Sequence, residues 1–202
     1  MARYTGPRSK ISRRFGTPLF GPSKALERRA YAPGVHGAKN RRKQSDYAVA
    51  LGEKQKLKYT YGVMERQFRG YYEKALKKHG ITGENLLQFL ELRLDNIVYR
   101  LGFATSRRGA RQMVAHGHIQ VNGRSVDIPS YLCRQGDIIS VRESARAKQM
   151  ANRSLDNPRL QPTPDWLKLE RDILKGSVAR VPARDEIAPV ANEQLVIELY
   201  SK

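Results

Sequence analysis

Leu94, Val98 and Leu101 recur at i, i+4 and i+7, a single apolar stripe on a helix, and Gly102 stands where such a helix stops. Ser106 is placed to cap a second helix. Ala110, Met113 and Val114 should face inward from it, while Arg107, Arg108 and Arg111 are expected to point outward. Gly117 ends that helix, and the period then changes. Ile119-Gln-Val121 alternates as a strand, Asn122-Gly123 is a strong hairpin signal, and Gln135-Gly-Asp137 turns the chain into Ile138-Ile-Ser-Val-Arg142. Residues 93–143 therefore predict two short helices followed by a small antiparallel strand set, a platform holding several guanidinium groups on one rigid face.

Upstream, the spacing predicts a helix over 45–58 capped by Ser45, with Tyr47 and Leu51 on it. A second covers 63–78, with Met64, Phe68, Tyr71, Tyr72 and Leu76 near apolar spacing and Gly80 closing it. A third, started by Thr82, covers 84–93 with Leu86, Leu87 and Leu90, and the three should pack as a small bundle. Downstream, 143–154 reads as a helix exposing Arg146, Lys148 and Arg153, and Asn157-Pro158, Pro162 and Pro164 mark a loop. Trp166-Leu-Lys-Leu-Glu alternates briefly, while 176–181 and 195–200 are strand candidates expected to join the preceding strands. The fold class this implies is α+β, with a mostly antiparallel sheet of about five strands. The expected organisation is a basic extension over 1–43, a helical domain over 44–93, the platform over 94–157 and a segment over 158–202 that completes the sheet.

Charge sharpens the picture. The chain of 202 residues carries 38 Lys and Arg against 19 Asp and Glu, a net charge of +19. Self-repulsion of that size weakens an isolated compact state, and a polyanionic partner relieves it. Residues 1–43 are the electrostatic extreme, with 12 basic residues against the single acid Glu27. They also hold the breaks Gly6-Pro7, Gly21-Pro22 and Pro33-Gly34 and few large apolar side chains, so this arm is expected to order only against a partner, with short local helices around 9–14 and 23–29. The one cysteine, Cys133, lacks an internal disulfide partner and any zinc-like spacing, and reads as a small buried side chain in a reducing compartment. No run approaches the roughly 20 apolar residues of a membrane helix, and the N-terminus lacks the apolar core of a signal peptide. A cytoplasmic location, without membrane contact and without homo-oligomer formation, is expected.

Arg107, Arg108 and Arg111 on a Ser106-capped turn present guanidinium forks suited to bidentate phosphate contact, at the positive end of a helix dipole. His116 and His118 adjoin them, with backbone or RNA rather than a metal ion as the expected partner. In the arm, Arg13-Arg14 and Arg41-Arg42-Lys43 are interleaved with Tyr4, Phe15, Phe20 and Tyr31, aromatic surfaces able to stack on bases or sugars. With Arg3, Lys10, Lys54 and Lys58, these residues form the candidate RNA-binding set. The deep, narrow RNA major groove resists side-chain readout, so recognition is expected through phosphates, hydroxyls and junction shape. Asp95 and Asp137 sit at structural punctuation and read as capping or ion-pairing groups rather than an acid/base pair. Gly34-Val-His-Gly37 lacks the setting of a phosphate-binding loop. Catalytic residues, metal ligands and cofactors are all expected to be absent.

Arg93-Leu-Asp-Asn, Ser106-Arg, Ala110-Arg-Gln, His116-Gly-His, Val121-Asn-Gly and Gly136-Asp137 resemble the αL RNA-binding module. The flanks, among them Tyr31-Ala-Pro-Gly-Val-His-Gly37, Tyr61-Gly-Val-Met-Glu-Arg-Gln-Phe68 and the terminal Leu199-Tyr-Ser-Lys202, resemble the bacterial small-subunit ribosomal protein four family over essentially the whole chain. Some members carry a four-cysteine zinc knuckle near the N-terminus; Ser9 and Ser12 stand in that region here, which is similar to the zinc-free variant. The resemblance implies a primary binder of small-subunit rRNA at a multi-helix junction that nucleates subunit assembly. It also implies contact with small-subunit ribosomal protein five that affects translational accuracy, and a place near the path by which mRNA enters. Two other classes remain open on the residues alone: a regulatory mRNA-binding repressor or heat-shock RNA binder, and an RNA-modifying enzyme that carries the same module.

Overall fold

A computed structural model of the chain describes residues 3–39, 43–157, 162–188 and 190–201. Their contacts fall into two compact units, Met1–Gly83 with Ala188–Lys202, and Glu84–Ile187.

In the first unit the arm forms α1 (Arg8–Phe15), α2 (Lys24–Arg28) and a 3-10 turn over Gly37–Lys39, before α3 (Asp46–Tyr61) and α4 (Glu65–Lys77). Ser45 caps α3 as its position predicts, its Oγ accepting from the Ala48 N–H at 3.3 Å. The arm has packing of its own, which its composition does not suggest. Ile11 and Leu19 are buried, and the rings of Tyr4 and Phe15 lie 5.2 and 6.5 Å from the ring of Tyr59 on α3. Arg13 gathers the following loop: its guanidinium donates to the carbonyls of Arg29, Tyr31 and Ala32 and lies 5.0 Å from the centre of the Tyr31 ring.

The chain returns to this unit as α9 (Glu193–Ser201), which packs along α3. The expectation of a strand over 195–200 is corrected here. Leu195-Val-Ile is rich in strand formers, but Asn192 supplies a helix start, its Oδ1 accepting from the Gln194 N–H at 3.0 Å, and Glu193 occupies the first turn. Helical geometry also brings Val196 and Tyr200, four residues apart, onto one face. Val196 is fully buried, and the Tyr200 ring stacks 4.8 Å from that of Tyr72 on α4. The Tyr200 hydroxyl donates to Glu65 at 2.7 Å, and Lys54 and Lys58 of α3 donate to the same carboxylate at 2.7 and 3.3 Å. Packing and hydrogen bonding override a local β preference.

The second unit contains α5 (Thr82–Glu91) from Glu84 onward, then α6 (Leu94–Arg100), α7 (Arg107–Ala115), β1 (Ile119–Val121), β2 (Arg124–Ser125), β3 (Ile138–Val141), α8 (Ala145–Leu155), β4 (Leu167–Glu170), β5 (Lys175–Val178) and a 3-10 turn at Arg184–Glu186. Five antiparallel strands run in the order β2-β1-β3-β5-β4, as the α+β expectation requires. The fifth strand comes from the Trp166–Glu170 alternation rather than from the C-terminus. Asn122 and Gly123 both have positive φ (51° and 78°), the conformation a two-residue hairpin needs between β1 and β2. Leu94, Ile97 and Val98 of α6, Ala110, Met113 and Val114 of α7, and Ala147 and Ala151 of α8 share one buried core with Ile119, Val121, Ile139, Val141, Leu167 and Val178 of the sheet. Helix α6 ends so close to β5 that a Cβ on Gly176 would lie 2.5 Å from Leu101 Cδ2. This packing fixes the axis of α6, and with it the start of α7.

The Tyr200–Glu65 contact gives the first test. Burial pushes the Glu65 carboxyl up, but hydrogen bonds from Lys54, Tyr200 and Lys58 outweigh it and hold the group below its ordinary 4.5. A carboxyl depressed by folding stabilises the fold above its unfolded pKa, and that contribution fades as pH falls through the folded value. Tyr200→Phe should cost about 1 kcal/mol near neutral pH, and Tyr200→Ala about 2 kcal/mol because half-buried ring contacts are lost as well. Urea unfolding should show the gap between wild type and Tyr200→Phe narrowing as pH is taken below 4.5.

Candidate nucleic-acid interface

The arginines of α6 and α7 are organised by buried acceptors. Arg93, at the N-cap of α6, is fully buried, and its Nε and Nη2 donate to the two Asp95 carboxylate oxygens at 3.0 and 2.7 Å. Arg111 of α7 donates to Asp95 Oδ2 at 3.4 Å and is itself buried. The expectation that Arg111 points outward is therefore corrected: it ties α7 to α6. The ion-pairing role expected for Asp95 is present. Helical geometry explains the correction. At about 100° per residue, Arg108 falls nearly opposite the Ala110/Met113/Val114 stripe, whereas Arg107 and Arg111 fall on its flank.

Arg107 is the first residue of α7, and Ser106 Oγ accepts from the Gly109 N–H at 3.2 Å to cap that helix. Arg107 Nε donates to Asn96 Oδ1 at 2.8 Å, and its guanidinium lies 4.6 Å from the centre of the Tyr99 ring. Arg108 is half-buried. These two arginines stand at the positive end of α7 on a backbone fixed by the core.

A second cationic group forms at the far end of α7. The His116 and His118 rings are 6.1 Å apart, and the Arg142 N–H donates to the His118 carbonyl at 2.8 Å, next to the Ile119↔Val141 pairing of β1 and β3. Arg142 and Arg146 are exposed, separated by Ser144, whose Oγ caps α8. Burial lowers the pKa of His118, and the charges of His116, Arg146 and Arg142 lower it further. A histidine surrounded by cations in this way marks a locally positive field. Arg142 and Arg146 were not among the sequence candidates. Each is an ordinary exposed arginine in the linear chain; the pairing of β1 with β3 brings Arg142 beside His118, and the first turn of α8 carries Arg146.

The arm candidates divide. Arg3, Lys10, Arg14 and Lys43 are exposed; Arg41 and Arg42 lie outside the described residues. Arg13 donates into its own loop, Lys54 is buried against Glu65, and Lys58 shares that carboxylate. Tyr4, Phe15 and Tyr31 pack within the unit as described above. Asp137 anchors the hairpin end, accepting from the Arg134 N–H at 2.7 Å and from Asn122 Nδ2 at 2.9 Å. Cys133 is buried, and burial followed by Asp137 and Asp95 pushes its thiol well above the ordinary range, the state of an inert core residue. Among the described residues no three His, Cys, Asp or Glu side chains gather as a metal site, and no helix is long and apolar enough to cross a membrane. The chemistry available is that of positive groups on a firm scaffold, suited to phosphate.

Two results should follow. Arg111→Met should cost about 2 kcal/mol in urea unfolding, less than the loss of an isolated buried pair because Asp95 keeps Arg93. His118 is harder to protonate folded than unfolded, so its effect on stability is nil above the ordinary value of 6.5 and unfavourable as pH falls through it. The unfolding midpoint of the free protein should therefore drop more steeply below pH 6.5 than that of His118→Gln.

Comparison with known proteins agrees with this geometry. The family described as the ribosomal protein S4/S9 N-terminal domain matches residues 3–91, and the S4 domain matches residues 92–139. The small ribosomal subunit protein uS4 of Akkermansia muciniphila is 58% identical over 203 residues, covering all of both chains. Those of Opitutus terrae and Thermus thermophilus are 54% and 51% identical, again with both chains fully covered. The chain belongs to the uS4 family of small ribosomal subunit proteins.

Proposed function

We propose that the chain is a structural, non-catalytic constituent of the small ribosomal subunit that holds folded rRNA through phosphate contacts. The observation that carries this reading is the mounting of Arg107, Arg108, His116, His118, Arg142 and Arg146 on one rigid module of a chain with net charge +19. Positions fixed by a packed core are pre-organised, so little ordering entropy is lost on binding. Duplex and junction RNA offers phosphates at defined spacing, which such a face can match without reading bases.

In this reading the protein is a primary binder at a multi-helix junction of small-subunit rRNA, and it nucleates assembly by holding those helices in one geometry. Arg3, Lys10, Arg14 and Lys43, exposed in the first unit, make RNA contacts of their own in this reading, and Arg41 and Arg42 belong to the same set. Neighbouring small-subunit protein five is the expected protein partner, with translational accuracy as the property their contact affects. A place near the path of incoming mRNA belongs to the same reading, as does residence on cytoplasmic ribosomes.

The test is the salt dependence of binding to a small-subunit rRNA transcript. Each phosphate contact contributes about 0.7–0.9 to the slope of log K against log salt. Replacing Arg108, Arg142 and Arg146 together by Ala should lower the slope by about 2 to 3 while leaving the melting temperature nearly unchanged. An unchanged slope would show that RNA lies elsewhere. The tagged protein should also co-sediment stoichiometrically with small subunits in salt-washed lysate, and substoichiometric recovery would favour a regulatory role instead.

A further inference from the structure

We propose that Glu91, Asn96 and Tyr99 are positioning residues that aim the Arg107 guanidinium at a phosphate, an inference that rests on the RNA-contact reading of Arg107 given above. The chain of contacts begins in the core. Glu91, the last residue of α5, is buried, and both its carboxylate oxygens are engaged by Arg100, Oε1 with Nη2 at 2.7 Å and Oε2 with Nε at 3.1 Å. The buried negative charge is thus matched within the module. Glu91 also accepts from Asn96 Nδ2 twice, through Oε2 at 2.7 Å and through its backbone carbonyl at 2.9 Å.

Those two bonds decide which way the Asn96 amide faces. A carboxylate and a carbonyl are acceptors only, so the Asn96 nitrogen must turn toward Glu91 and its oxygen must turn away. That oxygen is what Arg107 Nε meets at 2.8 Å. Asn96 is buried, and its position on α6 is set by the packing of Leu94, Ile97 and Val98. Tyr99, three residues further along the same helix face, lies beneath the guanidinium plane, 4.6 Å from ring centre to Arg107 Cζ. One edge and one face of the guanidinium are therefore fixed by groups that are themselves fixed.

An arginine on the surface normally samples many rotamers, and ordering it on a phosphate costs affinity. Here that ordering is built into the fold before RNA arrives. The buried Glu91 carboxylate, two residues removed from any phosphate, thereby contributes to RNA affinity through geometry rather than charge. Loss of this positioning should weaken binding about three- to tenfold, the range that corresponds to ordering one long side chain.

A double-mutant cycle on the full chain with a small-subunit rRNA transcript tests it. Arg107→Ala should weaken binding. Asn96→Ala and Tyr99→Leu should each weaken it about three- to tenfold in the wild-type background and have no effect in the Arg107→Ala background. Arg107→Lys, which keeps the charge but lacks the Nε donor, should behave like Asn96→Ala. Circular-dichroism melts identify folded variants; should Asn96→Ala not fold, the Tyr99→Leu cycle decides the question in its place. Equal losses in both backgrounds would overturn the proposal in favour of a general structural role, and so would a folded Asn96→Ala that binds like wild type. An unchanged affinity for Arg107→Ala would overturn the RNA contact of Arg107 itself, a failure distinct from the other two.

Discussion

Asp95 accepts hydrogen bonds from Arg93 and from Arg111 in a site nearly sealed from water, and that arrangement ties α7 to α6. A buried carboxylate without partners is costly, and so is a buried guanidinium. Pairing all three fixes the N-terminal turn of α6 against the middle of α7. Both helices share the core with the sheet, and Arg107 and Arg108 stand at the positive end of α7. A protein of such positive charge needs internal anions to hold some arginines in, so that the others face out. Glu91 serves the same purpose under Arg100, while the partly exposed Glu65 gathers Lys54 and Lys58.

This division of labour makes counting basic residues a poor guide to binding. Arg93, Arg111 and Lys54 are buried structural cations, and Arg13 gathers backbone carbonyls. The groups that remain for a phosphate face are fewer and better placed. Around His118 the cations are close enough to lower its pKa after burial has done so, a repulsion that the isolated protein carries and a polyanion would relieve.

Much of the fold was legible because local chemistry and packing agree. Ser45 and Ser106 cap the helices that their positions predicted, and Asn122-Gly123 forms the expected tight hairpin. A mostly antiparallel sheet of about five strands was foreseen, although one strand came from a different stretch. The failure over 195–200 was a contest between β-branched residues and a cap three residues upstream, decided by the contacts that Tyr72 and Glu65 offer to Tyr200. At the candidate site the stripe of Ala110, Met113 and Val114 was read correctly, but Arg111 was placed on the wrong side. A shared partner sixteen residues away, Asp95, leaves no periodic trace. Arg142 and Arg146 were missed for a related reason, since the pairing of β1 with β3 and the start of α8, rather than sequence spacing, unite them with the histidines.

The central claim is that an interface of fixed cations grips folded small-subunit rRNA. Crosslinking of the protein to RNA in cells, mapped at nucleotide resolution, tests it most directly. Crosslinks should concentrate on one cluster of helices in small-subunit rRNA and include peptides of residues 107–118 and 142–146. A map dominated by messenger or transfer RNA, or spread evenly over RNA of every kind, would contradict it.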